Sequence, residues 1–358
     1  MTLILSNKDV EQLLTMPECI AALETSYAEL AHGRGLSRTR SDSLAPTKRE
    51  DAYYSLKSMD GVVPALGVSS VRINSDIITM PKFGNSVRRV KVPAAPNNRY
   101  VGLVVLFSTE NGEPLAIMSD GVMQRMRVGA ANGLGVKYLA RENASSIGLL
   151  GAGWQAGTQL TAACAVRDIK TIRCFSPTRE KREAFCQEMS GVLGIEVQSV
   201  DHPEAALQGA DIAMCATNTE DPIYFARWIE PGQHLSSIKK PEMEMDAIRR
   251  ADRVIIHTRD VHPMMELSSE LPESAQLYEA KRTPKSDDVD IKKFPTIAEL
   301  IAGKAKGRGG DQEVTLFMNN LGLGYQFAAA GSVVYRNAKE RGFGHELPTD
   351  WFTEDVHP

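Results

Sequence analysis

Apolar residues recur along this chain with two different periods, and the change between them divides it. Leu3 to Leu5 reads as a short strand. From Pro17 the apolar positions Ile20, Leu23, Tyr27 and Leu30 follow helical spacing, and Gly33 is a natural stop. Residues 34–52 are polar and read as loop. From Ala52 to Phe107 the pattern turns β-rich, with runs at Tyr53–Leu56, Leu66–Ile73 and Val101–Phe107 broken by Gly and Pro clusters. Glu110-Asn111-Gly112 reads as a hairpin turn. This first part is expected to be a mostly antiparallel α+β unit.

A different texture begins at residue 128. Gly129 to Leu139 predicts a helix rich in small residues, and Asn143 to Ser145 a turn. Strands are expected at Ser146–Leu150, Thr171–Phe175, Ile195–Val200, Ile212–Cys215, Leu235–Ile238 and Val254–His257, with helices over Trp154–Val166 and Arg179–Ser190. Strands alternating with helices imply a parallel, doubly wound sheet. The charged stretch Lys281 to Lys293 reads as loop. Residues 314–337 read as an apolar helix returning to the first unit.

Composition narrows the classes. At 358 residues the chain is long enough for two domains, and 42% hydrophobic content is ordinary for a globular protein. The net charge of −4 is small and the signs are interspersed, which gives no ground for a nucleic-acid or membrane partner. No stretch approaches the ~18 apolar residues of a spanning helix. Five scattered cysteines, never spaced as a metal or redox pair, point to a reducing, cytoplasmic setting without a metal site.

The most specific motif is Gly151-Ala152-Gly153-Trp154-Gln155-Ala156, which directly follows an apolar strand and opens a helix. In a dinucleotide site the first glycine permits the tight turn and the second lets backbone approach a pyrophosphate. Ala156 then keeps helix and strand close. The helix N-terminus supplies free N–H groups for the anion. The next strand ends at Ser176-Pro177-Thr178-Arg179, where an NAD site places an acidic residue and this chain has none. Ser176 and Thr178 can hydrogen-bond and Arg179 can pair with a 2′-phosphate, so NADP(H) is favoured, with NAD(H) as the alternative. Ala216 and Thr217, just past a later strand, are assigned to the same site. The expected fold class is therefore α/β: a Rossmann-type doubly wound parallel sheet plus an α+β substrate-binding and dimerisation domain.

With that motif in place, Arg127-Val128-Gly129-Ala130-Ala131, Tyr138-Leu139-Ala140-Arg141 and Ile147 to Gly153 together resemble the ornithine cyclodeaminase/μ-crystallin family. Asp120-Gly121, Glu230-Pro231-Gly232 with His234, and Glu313 to Phe317 fit the same resemblance. It implies a homodimer whose substrate domain is discontinuous, here 1–127 with 315–358, around a dinucleotide domain of 128–314. It also implies hydride exchange between a nicotinamide and the α-carbon of a small amino or imino acid. Arg127 corresponds to the family arginine that holds the substrate carboxylate, and bidentate pairing suits that task. Arg40 falls where the family has a second cation. Lys57 stands about where the family has a glutamate, and Arg72 is the cation nearest the family lysine. After His234 the family's catalytic aspartate is missing, and Lys239, Lys240 or Glu242 occupies its neighbourhood.

These departures favour an NAD(P)-dependent imine reductase or amino-acid dehydrogenase, and the cations at Lys57, Arg72 and Arg40 suggest a dicarboxylic substrate. An ornithine or lysine cyclodeaminase and a non-catalytic NADPH-binding protein of the crystallin type are the alternatives. His202, His257 and His262 have no partner pattern and read as surface or turn residues. Met118, Met123 and Met126 read as core.

Overall fold

The chain was analysed as a computed structural model, which describes residues 1–83, 86–87, 90–219, 221–260, 263–271 and 289–355. The predicted stretch at 281–288 and His262 lie outside the described residues. Ile291–Lys293 forms a 3-10 turn.

Two sheets carry the structure. The first has ten strands, in the order Met264–Leu267, Ser41–Pro46, Ala52–Val63, Val68–Thr79, Val101–Ser108, Pro114–Ser119, Thr2–Leu5 and His345–Leu347, with two short strands beside this path. It is mostly antiparallel. The second has seven strands, all parallel, in the order Val197–Ser199, Thr171–Phe175, Ser146–Leu150, Ile212–Cys215, His234–Ser237, Thr315–Met318 and Arg253–Ile256. The order reverses at Ser146–Leu150, the arrangement of a doubly wound sheet.

Local sequence explains much of this. Ser6 and Asp9 form a capping box that starts the Asn7–Leu13 helix. Thr15 and Glu18 do the same, with Pro17 in the first turn, for Met16–Ala31. The twelve-residue strand Val68–Thr79, and Ala52–Val63 from Tyr53 onward, alternate strictly between buried and less buried positions. Their register sets Lys57 opposite Asn74 and Met59 opposite Arg72. Lys57, Arg72, Asn74 and Asp76 therefore all lie on the buried face. Charged residues seldom occupy such a face without a task or a partner.

Two expectations need correction. Residues 34–52 contain the strand Ser41–Pro46, which the polar composition concealed because its exposed positions are Ser and Pro. Thr315–Met318 is not the start of a helix. It is a fully buried strand inserted between His234–Ser237 and Arg253–Ile256, so the parallel domain extends past 314, and the returning helix is Tyr325–Arg341. Four consecutive buried apolar positions carry no period that separates strand from helix.

The Gly121–Leu139 helix joins the two units, packing against Met16–Ala31 on one side and Trp154–Val166 on the other. Its small residues allow a close approach: a Cβ on Gly129 would lie 2.6 Å from the carbonyl oxygen of Thr158. Helix propensity alone would make Gly129→Ala stabilising by about 1 kcal/mol. Overpacking costs about 1–3 kcal/mol and should win here. We expect the variant to unfold at a temperature several degrees lower by circular dichroism; a higher midpoint would show that the two helices can separate at no cost.

Candidate functional site

The turn after Ser146–Leu150 has the geometry that its glycines require. Gly151 has φ +120°, and a Cβ there would collide with the carbonyl of Ala216 at the end of the neighbouring strand. Gly153 is the N-cap of Trp154–Val166 and has no side-chain cap, so the first N–H groups of that helix are left for a ligand. A Cβ on Gly153 would meet nothing within 4 Å. Gln155 Oε1 is buried without a hydrogen-bond partner, and Ala156 is fully buried against the sheet. Trp154 is exposed, with the Arg125 guanidinium 5.7 Å from its ring centre.

At the end of Thr171–Phe175, Ser176 gives its carbonyl to Arg182, and Thr178 is the N-cap of Arg179–Leu193. Arg179 is exposed and pairs with Glu183 at 2.8 Å. Across the sheet, Thr217 donates from both its N–H and its hydroxyl to Glu242, at 2.6 and 2.7 Å. Glu242 also accepts from the N–H of Ile238. It is fully buried, and burial pushes its carboxyl above the usual range against those hydrogen bonds. Glu242 thus ties together the ends of two parallel strands beside the glycine turn. Lys239 begins the 3-10 turn Lys240–Glu242 that places it.

The second half of the site lies on the buried face of the antiparallel sheet. Arg127 and Arg72 sit over the same Phe327 ring, at 5.1 and 5.3 Å from its centre. Arg72 pairs with Asp120 at 2.7 Å, and Asn74 donates to the same carboxylate. Arg40 pairs with Asp42 at 2.7 Å. Lys57 lies 3.3 Å and Lys91 3.0 Å from Asp76. Among the described residues Arg127 has no carboxylate in ion-pair range. It donates to the side-chain oxygens of Gln326 and Gln124, both at 2.9 Å, and its Nε has no partner. Burial, followed by the neighbouring charge of Arg72, pulls its pKa down to about 9, which still leaves a cation at neutral pH.

The structure therefore places Arg40, Lys57, Arg72 and Arg127 on the side of the antiparallel sheet and Lys239 beside the parallel sheet. The aspartates facing Lys57 and Arg72 escaped the sequence reading because Asp76 and Asp120 come from separate segments, while Asp42 lies two residues from Arg40. His257 was also misread. It is fully buried, and its Nε2 lies 2.6 Å from the Tyr27 hydroxyl. His234 is buried as well, with Nδ1 2.9 Å from the Thr315 hydroxyl.

A tight glycine turn on a doubly wound parallel sheet, joined to a second, mostly antiparallel sheet, is the form of a Rossmann-type domain with a second domain. The profile described as the ornithine cyclodeaminase/mu-crystallin family matches residues 1–342, and the chain belongs to that family. It is 30% identical to an alanine dehydrogenase of Archaeoglobus fulgidus, over 97% of this chain and 98% of the relative. A Δ1-pyrroline-2-carboxylate reductase of Bacillus cereus is 26% identical, over 96% of this chain and 99% of the relative. Among solved structures, the Thermococcus litoralis Δ1-pyrroline-2-carboxylate reductase in complex with NADH and L-proline superposes with a TM-score of 0.74. Its identity is 26%, covering 97% of this chain and all of that one.

The two buried imidazoles make stability depend on pH. Burial is the main cause that lowers His234 to about 3 and His257 to about 4, from 6.5. A depressed folded pKa means that the unfolded chain binds more protons between those values and 6.5. Stability is then complete above about pH 6.5 and is lost as the pH falls. Each imidazole should cost roughly 2 kcal/mol by pH 5. Urea titrations at pH 7 and pH 5 would measure this, and His257→Gln should flatten the slope. Equal midpoints at the two pH values would refute the assignment of neutral, buried rings.

Proposed function

We propose that the chain is an NAD(P)-dependent oxidoreductase that interconverts a small amino acid and its imine, with Arg127 holding the substrate carboxylate. The observation that carries this reading is the guanidinium of Arg127, buried with no carboxylate in ion-pair range among the described residues. Leaving a charge in such a place is costly unless a counter-ion arrives. A substrate carboxylate is that counter-ion, and a bidentate pair would fix the orientation of the α-carbon.

Gly151, Ala152, Gly153 and Gln155 would hold the dinucleotide's pyrophosphate, with Trp154 at its edge and Ala216 and Thr217 beside the turn. The open space at Gly153 and the uncapped helix start fit such a group. When bound, the dinucleotide supplies hydride exchange at the substrate α-carbon. Arg127 orients that carbon, Phe327 backs the guanidinium, and the paired Arg72 and Asp120 form a fixed polar wall. Water or Lys239 supplies the proton that the amine nitrogen requires.

The charge-balance ground for a dicarboxylic substrate is lost, because Lys57, Arg72 and Arg40 each face an aspartate. A monocarboxylate matches Arg127, which has no carboxylate in ion-pair range among the described residues. Ornithine cyclisation needs an accessible carboxylate base, and Glu242 is committed to Thr217 and Ile238. That favours imine reduction over the cyclodeaminase alternative. The non-catalytic crystallin alternative has no feature of the site in its favour.

NADP(H) is preferred because no acid directly follows Phe175 while Ser176, Thr178 and the exposed Arg179 do. The protein is a homodimer, since the outer face of the antiparallel sheet leaves Leu56, Val101 and Leu103 exposed and Ile73, Val105 and Phe107 half-buried. All five cysteines are free thiols, and no described helix is long and apolar enough to cross a membrane, in keeping with a cytoplasmic setting.

Three predictions test this. Gly153→Asp should abolish NADPH binding followed by tryptophan fluorescence, because it brings bulk and negative charge to the phosphate path. The native protein should bind NADPH about tenfold tighter than NADH, as one charge-assisted contact contributes roughly 1.5–3 kcal/mol, and Arg179→Ala should narrow the gap; equal affinities would exclude a 2′-phosphate contact. For the substrate, Arg127→Ala should leave dinucleotide affinity unchanged while kcat/KM for Δ1-pyrroline-2-carboxylate falls about a hundredfold. Unaltered turnover would remove Arg127 from the site.

A further inference from the structure

Behind Arg127 runs a chain of buried hydrogen bonds whose directions are all fixed by backbone groups. His257 Nδ1 faces the carbonyl oxygen of Leu321, which can only accept, so Nδ1 carries the proton. Burial keeps the ring neutral, so Nε2 is an acceptor. It therefore takes the hydroxyl proton of Tyr27, 2.6 Å away. The Tyr27 oxygen in turn accepts from Gln326 Nε2 at 3.0 Å. From the other end, the N–H of Leu323 donates to Gln326 Oε1 at 3.0 Å, which fixes the same amide orientation independently. That oxygen is the one receiving Arg127 Nη1 at 2.9 Å.

The participants come from both domains. Tyr27 lies on Met16–Ala31 and Gln326 on Tyr325–Arg341, while His257 directly follows the parallel strand Arg253–Ile256. The N–H of His257 donates to the carbonyl of Met318 in the adjoining strand. Tyr27, His257 and Gln326 are all at most 2% exposed, so water does not compete for these bonds.

We propose that Gln326, Tyr27 and His257 are positioning residues that aim the Arg127 guanidinium at the substrate carboxylate and hold that aim relative to the dinucleotide domain. The proposal rests on Arg127 being the carboxylate anchor. If the Tyr27 hydroxyl is lost, the amide orientation of Gln326 is held by the Leu323 N–H alone and the Gln326 nitrogen loses its acceptor. A flipped amide would then set a donor against a donor.

Two measurements test it. In protein labelled with 15N-histidine, two-dimensional 15N–1H correlation should show His257 as the neutral Nδ1–H tautomer at pH 7, assigned by its loss in His257→Gln. The Nε2–H tautomer or an imidazolium would overturn the chain of directions, whatever the enzyme's substrate. In kinetics with Δ1-pyrroline-2-carboxylate and NADPH, Tyr27→Phe should lower kcat/KM about tenfold with dinucleotide affinity unchanged. The same substitution in an Arg127→Ala background should change it less than twofold. His257→Gln, which can reproduce one donor and one acceptor, should retain more activity than His257→Leu. Equal losses from Tyr27→Phe in both backgrounds would overturn the proposal. Full turnover by Arg127→Ala would overturn the anchor itself, and the tautomer measurement separates that failure from a wrong hydrogen-bond chain.

Discussion

A guanidinium buried without a carboxylate in ion-pair range, among the described residues, is the constraint around which this part of the structure is arranged. Arg127 is 5% exposed, and its described contacts are amide oxygens and an aromatic face. Amide dipoles and a ring quadrupole stabilise a cation less than a carboxylate would. The neighbouring cations Arg40, Lys57 and Arg72 are each matched to an aspartate.

The parallel domain answers a different constraint. An anion at its edge must be met by backbone N–H groups, and only a turn without side chains lets backbone come that close. Gly151 and Gly153 meet this need, and Glu242 holds the adjacent strand ends in place by accepting from Thr217 and Ile238. The helix Gly121–Leu139 then relates the two halves. It begins at Asp120, which pairs with Arg72, carries Arg127 in its second turn, and lies against the dinucleotide domain through Gly129. A single helix therefore connects Arg127 to the parallel domain that carries the glycine turn.

Much of this was legible in the sequence. Trp154–Val166, Thr171–Phe175 and Ile212–Cys215 fall where their periods and punctuation put them, since short apolar strands followed by amphipathic helices leave local signals. The glycine motif was readable because its chemistry is local: turn, phosphate approach and helix start occupy six consecutive residues. Arg127 was readable through its flanking motif. Thr315–Met318 was not, because a strand buried on both faces has no alternation to reveal it.

The sequence by itself determined the family and the α/β fold class with its glycine turn after Ser146–Leu150, because those signals lie in short runs of neighbouring residues. Tertiary structure alone decided that Lys57 and Arg72 are neutralised, since Asp76 and Asp120 meet them only through strand register and helix placement, whereas Arg40 pairs with Asp42 two residues along its own segment. It alone decided that His257 belongs to a buried chain with Tyr27 and Gln326, residues separated by 230 and 299 positions from their partners. Hydrogen-bond direction depends on donors and acceptors brought within about 3 Å, and no spacing along a chain encodes a contact that folding must first create.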